Sequence, residues 1–233
     1  MNELLLIGSL FLVYGAVLIA YRLFGKAGLY TFSAVATILA NIEALLLIDA
    51  FGMEQTLGNV LFAATFLITD ILSENESKRD AGKAVSLGVF ASAMMFLITQ
   101  YWFLYTPAGS DWARDPLQMI FSTTPRMVLA SMLGYIISQT FDVWLYHKWW
   151  DFTTKRFGDA HRFLWLRNNG STLISQIVNT VVFTLAAFAG RYSTSLLLSI
   201  MASSYLIYIF TSLLDTPMVY LARKLKESGK IPG

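Results

Sequence analysis

The chain has no cysteine and only two histidines, and 14% of its residues are charged, against about 25% in a soluble domain. Each shortage removes a class of chemistry. Without cysteine there is no disulfide, no thiolate metal site and no thiol nucleophile. The two histidines lie in a hydrophilic stretch and make no histidine-rich metal centre. No His-Glu-x-x-His pair or convincing Ser/His arrangement supports catalysis, so neither an enzyme, a catalytic residue, a metal nor a cofactor is expected. No Gly-x-x-x-x-Gly-Lys loop occurs, so any ATP drive has to come from a separate energising module. What remains is apolar: 56% hydrophobic residues and a mean hydropathy of +0.57, the composition of an integral membrane protein.

A hydrocarbon core of about 30 Å takes about 20 apolar residues per helix. Seven stretches qualify, at 4–24, 29–51, 57–72, 84–106, 127–150, 171–189 and 195–221. The first begins after Glu3 rather than a basic segment, which reads as a retained span and not a signal peptide. The expected fold is an all-α, polytopic integral membrane helical bundle of about seven transmembrane helices, one domain over 1–233. Alternate loops then divide the 17 Lys and Arg residues into 14 on one side and three, Arg114, Arg126 and Arg191, on the other. Cytoplasmic loops carry the excess, so the N-terminus is expected outside and the C-terminus, a basic tail at 223–233, in the cytoplasm. The same split explains the basic residues through topology and the lipid bilayer, with no nucleic acid implied. Five tryptophans, Trp102, Trp112, Trp149, Trp150 and Trp165, fall near span ends, as in an aromatic belt.

Ionisable and amide groups at membrane depth are costly and usually face the bundle interior. Those within the spans are Asn41, Glu43, Asp70, Glu74, Gln100, Gln139, Asp142, Gln176, Asn179 and Asp215. Several have structural readings. Glu74 is four residues before Lys78, a favourable helix pair. Asp215 precedes Thr216 and Pro217, where a carboxylate can satisfy backbone groups freed by the proline. Gln100 reads as interhelical glue.

Two segments carry more. ISQTFD at 137–142 and ISQIVN at 174–179 each place polar groups three residues apart, hence on one helix face. The spans run in opposite directions, so facing copies would form a polar cleft with approximate local symmetry, as in inverted-repeat transporters; simple helix pairing accounts for the same pattern. Amides and a carboxylate suit a planar, nucleobase-like heterocycle, whose adjacent N–H and amino donors match a carboxylate fork. Phe141, Trp144 and Phe183 are the candidate stacking surfaces. A sugar or an amino acid is left open by the same groups.

The chain resembles the queuosine-precursor transporters of the vitamin uptake transporter class. The resemblance is carried by ANIEA at 40–44, FLITDILSE at 66–74 with Ala81 and Lys83 beyond it, SQTFDV at 138–143, LRNNGSTLISQIVNTVVF at 166–183 and TPMVYL at 216–221. It implies a six-helix core at 28–222, with 1–27 as an additional N-terminal span, in the inner membrane of a prokaryote. The implied activity is secondary import of a 7-deazaguanine-type base, such as queuine or its precursors, for tRNA modification. The alternative is the substrate-binding membrane subunit of a vitamin-type system energised by a separate module; a homodimer is a further candidate assembly. Asn41, Gln139, Asp142, Gln176 and Asn179 would line the substrate site, and Asp70, Glu74 and Glu43 would serve as gate or proton relay. Two departures stand out. Asn75, Glu76 and Ser77 replace an aromatic-Gly pair, and Asn179 replaces the acid of a Gln-x-x-Asp-Thr pattern, which removes one carboxylate from the cleft.

Overall fold

The computed structural model describes residues 1–121, 125–159 and 161–232. Positions 122–124 of the Pro-containing connection predicted between the fourth and fifth spans lie outside them, as do Ala160 and Gly233. The first helix, α1, covers Asn2–Glu43, 42 residues. Drawn straight it would be about 63 Å long, twice the hydrocarbon core. It reverses instead at Gly25, whose φ of 58° and ψ of −146° lie in a region open essentially to glycine. The reversal is visible in its partners. Asn2 Nδ2 donates to the Asp49 carbonyl at 2.9 Å and the Phe51 N–H donates to Glu3 Oε1 at 3.3 Å, so both ends of α1 lie at the same end of the molecule. The two arms, 2–24 and 26–43, correspond to the first two expected spans.

The second expected span, at 29–51, is too long. Its helix ends at Glu43, and the chain continues as a hairpin of β1 (Leu47–Ala50) and β2 (Met53–Thr56). Leu45 to Ile48 prolong the apolar run without prolonging the helix. Phe51 and Gly52 both have positive φ, 56° and 73°, the requirement of a type I′ turn.

Helix α2 (Gly58–Asn75) stands at the centre, buried from Gly58 to Ser73 except at Phe62, its polar Asn59, Thr65, Thr69 and Asp70 included. Helix α3 (Lys78–Trp102) starts six residues before the expected span because Ser77 caps it, accepting the Asp80 N–H at 3.1 Å and donating its hydroxyl to Asp80 Oδ2 at 2.6 Å. This break also separates Glu74 from Lys78, so the pair read as one helical turn does not form. The short α4 (Arg114–Phe121) lies in the connection to α5 (Pro125–Phe157), followed by α6 (Leu164–Phe188) and α7 (Thr194–Glu227), which carries Pro217 inside it. Among the described residues α1, α3, α6 and α7 are long and apolar enough to cross a membrane; polar residues interrupt α2 and α5.

The reversal at Gly25, the α2–α3 turn and the end of α7 meet at one end of the bundle. Tyr21 donates to Glu76 at 2.7 Å, Lys26 pairs with Asp80 at 3.5 Å and Lys226 with Glu76 at 2.8 Å. The first arm is part of the core: Leu10, Tyr14, Val17, Leu18 and Tyr21 are buried with Leu67, Ile68 and Ile71 of α2.

Candidate functional site

Helices α5 and α6 form the most extensive pairing in the fold. Gly134 faces Asn179 and Phe183, Asp142 faces Ser175, and Trp149 faces Gly170, an antiparallel register. The two glycines bring the backbones close, as small residues do between apolar helices: a Cβ on Gly134 would lie 3.0 Å from Asn179 Oδ1, and one on Gly170 3.0 Å from Trp149 Nε1. ISQTFD and ISQIVN therefore do lie against each other. Asp142 Oδ1 accepts the Ser175 hydroxyl at 2.8 Å, while Oδ2 has no hydrogen-bond partner. Gln139 is committed to α2, donating to Thr65 Oγ1 at 2.6 Å and accepting from Thr69 at 3.2 Å. Gln176 is buried with its Oε1 unpartnered, and Asn179 is buried against Gly134.

The central helix and α7 complete the site. Asp70 of α2 accepts the Thr172 hydroxyl at 3.1 Å and faces Asp142. Asp215 of α7 lies within reach of both charges and beside the Tyr14 hydroxyl of α1. All three aspartates are at most 1% exposed. Neither oxygen of Asp215 has a hydrogen-bond partner, so its carboxylate does not satisfy backbone groups near Pro217. Among the described residues no three His, Cys, Asp or Glu side chains converge closely enough to ligate a metal ion. The result is a buried polar cluster of acceptors contributed by α2, α5, α6 and α7, with hydroxyls from α1 and α6.

A model of the family described as "Putative vitamin uptake transporter" matches residues 56–222, a stretch that contains α2 to α6 and α7 up to Ala222. The chain belongs to the vitamin uptake transporter family. It is a multi-pass membrane transporter and not an enzyme. It is 39% identical over 209 residues to the "Probable queuosine precursor transporter" of Bacillus subtilis (strain 168), covering 90% of this chain and 89% of that one. No solved structure matches.

The other residues expected at the site of this transporter are distributed differently. Asn41 bridges three helices, donating to the Thr37 carbonyl at 2.7 Å and to Ser92 at 3.5 Å and accepting from Ser131 at 3.2 Å. Ser131 is eight residues, about 12 Å, along α5 from Gln139, so Asn41 is set apart from the polar cluster. Glu43 ends α1 at the opposite end of the bundle from Glu74, where its carbonyl accepts from Thr56 at 3.1 Å. Gln100 donates to the Phe121 carbonyl at 2.8 Å, a structural contact. Phe141 and Trp144 stack on each other, with Trp144 43% exposed on the outer surface, and Phe183 packs against Phe188. Trp144 is two residues from Asp142, about 200° around the helix, and points away. The aromatic group that does border the cluster is Phe62, Phe66, Tyr135 and Tyr208, a helical turn from Thr65, Thr69 and Gln139.

Glu74 lies between the cluster and the end of the bundle that carries the basic loops. Its carboxylate takes two hydrogen bonds from Arg167, Nε to Oε2 at 2.8 Å and Nη2 to Oε1 at 2.5 Å, and one from Tyr146 at 2.6 Å, with Arg223 at 3.5 Å. Arg167 is fully buried, lies over the Trp150 ring and donates to the Arg162 carbonyl. Sequence reading counted Arg167 only as a loop cation. The signal was its place in LRNNG, whose Asn168 and Asn169 both donate to Thr216 of α7. Tyr14 looks like an ordinary helix residue until the helices are assembled, and Asp215, read from the sequence as a partner for backbone groups near Pro217, joins the cluster only through packing.

Proposed function

We propose that this transporter is a secondary importer of a queuosine precursor, a 7-deazaguanine-type base, in the inner membrane of a prokaryote. In this reading the chain crosses the membrane seven times, with its N-terminus outside and the basic end of the bundle in the cytoplasm. The named substrate of the Bacillus subtilis relative supports the substrate class. The observation that carries the reading is the pair of unpartnered buried acceptors, Asp142 Oδ2 and Gln176 Oε1, on facing helices. A deazaguanine edge presents adjacent N–H and amino donors that match such acceptors. The aromatic group Phe62, Phe66, Tyr135 and Tyr208 supports stacking of the flat base. Asp142, Gln176, Gln139 and Asn179 line the site, and Asp70 is next to it. Glu74, held by Arg167, acts as the inner gate.

The test is uptake of labelled queuine and its precursors by cells unable to make them. Wild-type protein restores uptake, and Asp142→Ala loses about 10- to 150-fold in affinity, the equivalent of a charge-assisted hydrogen bond worth about 1.5–3 kcal/mol. Unchanged uptake in the mutant refutes the site, and no uptake of any deazaguanine refutes the substrate class. Purified protein alone in liposomes should transport; binding without transport would instead identify a subunit that needs an energising module.

A further inference from the structure

The buried cluster is rich in free acceptors. Asp142 Oδ2, both oxygens of Asp215 and Gln176 Oε1 are unpartnered, and the unpartnered groups able to donate around them are neutral hydroxyls, Tyr14 and Thr180 with Ser73 of α2 and Tyr135 of α5. The charges are one-sided. Asp70, Asp142 and Asp215 take part in no ion pair among the described residues, whereas the buried Arg167 is committed to Glu74 and Arg223 is shared between Glu74 and Glu227. Carboxylates removed from water without a cation are costly, and they are retained where a positive group completes them. The three aspartates sense one another's charge but do not converge on a single metal position.

Resting on the base-import reading above, we infer that Asp215, with Tyr14, is an ammonium subsite: the substrate is a planar deazaguanine carrying a protonated amine arm, and this residue pair selects it. Asp142 and Gln176 take the donors of the base edge, and the arm reaches α7. A protonated primary amine brings three donors and one positive charge, matching the two free oxygens of Asp215 and leaving one donor for Asp70. A nitrile arm brings an acceptor and no charge, so it adds to the free acceptors. The carboxylate absent from α6, where Asn179 stands, leaves Asp215 as the arm's principal acid in this chain.

The experiment is equilibrium binding to purified full-length protein in nanodiscs, comparing 7-aminomethyl-7-deazaguanine with 7-cyano-7-deazaguanine. Wild-type protein is expected to bind the aminomethyl base at least about tenfold more tightly, and Asp215→Asn to reduce that preference below about threefold, with the larger loss on the aminomethyl base. A monodisperse variant with a cooperative melting transition shows that it is folded, and Asp215→Glu should keep the preference for the amine. Equal affinity of wild type for both bases, or an equal loss for both in Asp215→Asn, overturns the subsite while leaving base import standing. Binding of neither base overturns the import reading and the subsite together.

Discussion

Replacing Arg167 by Met leaves Glu74 buried with its principal cation gone. The side chain of Glu74 is 2% exposed and that of Arg167 0%, so water does not substitute for the lost donors. The variant loses both guanidinium bonds to the carboxylate, the bond from Arg167 to the Arg162 carbonyl and the contact of the guanidinium with Trp150 at 4.3 Å. Removing one partner of a buried ion pair costs about 3–5 kcal/mol. At roughly 2–4 °C per kcal/mol for a chain of this size, the melting temperature of the purified protein should fall by roughly 6–20 °C. Arg223, at 3.5 Å from the same carboxylate, places the loss toward the lower half of that range. The double variant Arg167→Met with Glu74→Met removes the stranded charge as well, and should recover most of the loss, since a buried pair replaced by apolar residues is often close to neutral. Thermal unfolding of the three proteins in one detergent is the assay. A single variant as stable as wild type, or a double variant less stable than the single one, refutes the account of Glu74 as a charge held by Arg167.

Four further outcomes follow from the geometry. Gly25→Ala imposes a side chain on a positive-φ position and would bring its Cβ to 2.6 Å from the Pro232 carbonyl, so a loss of about 1–3 kcal/mol should appear as a lower melting temperature and poorer monodispersity. Ser175→Ala deletes the donor to the buried Asp142 and should cost about 1–3 kcal/mol of stability; substrate affinity should fall about tenfold, and equal affinity would show that the orientation of Asp142 is set elsewhere. Gly134→Ala presses on Asn179 and Phe183, at 3.0 and 3.4 Å, and should cost about 1–3 kcal/mol, whereas Asn179→Asp should preserve folding and strengthen uptake of deazaguanines in the cell assay.

Apolar length alone located all seven long helical segments, because a membrane helix must satisfy its backbone internally over a fixed number of residues. It failed where apolarity and helicity part company. Leu45 to Ile48 are apolar enough to extend a span, but the consecutive positive-φ residues Phe51 and Gly52 turn them into a hairpin. Helical spacing put Gln139 with Asp142 and Gln176 with Asn179 each on one side of its helix, since a three-residue separation fixes a face, yet Gln139 turns to α2 while Asp142 meets α6. Spacing carries no information about which neighbouring helix that face meets. Asp215 and Tyr14 come to the same place from helices about 200 residues apart in the chain, and only packing brings them together. The aromatic assignment failed on angle: Trp144 is close to Asp142 in sequence and on the wrong side of its helix.

The fastening of α5 to α6 has a mechanical consequence. Gly134 and Gly170 hold the two backbones together toward either end, and the Asp142–Ser175 bond joins them between, so the two helices are built to travel as one lever. Against α2 the same lever is held by exchangeable side-chain bonds: Gln139 to Thr65 and Thr69, Thr172 to Asp70, and Arg167 and Tyr146 to Glu74. Sliding at that boundary trades one set of hydroxyl and carboxylate partners for another without opening an apolar seam. In the import reading proposed above, the joint between this pair and α2 and the contacts to the substrate share the same residues.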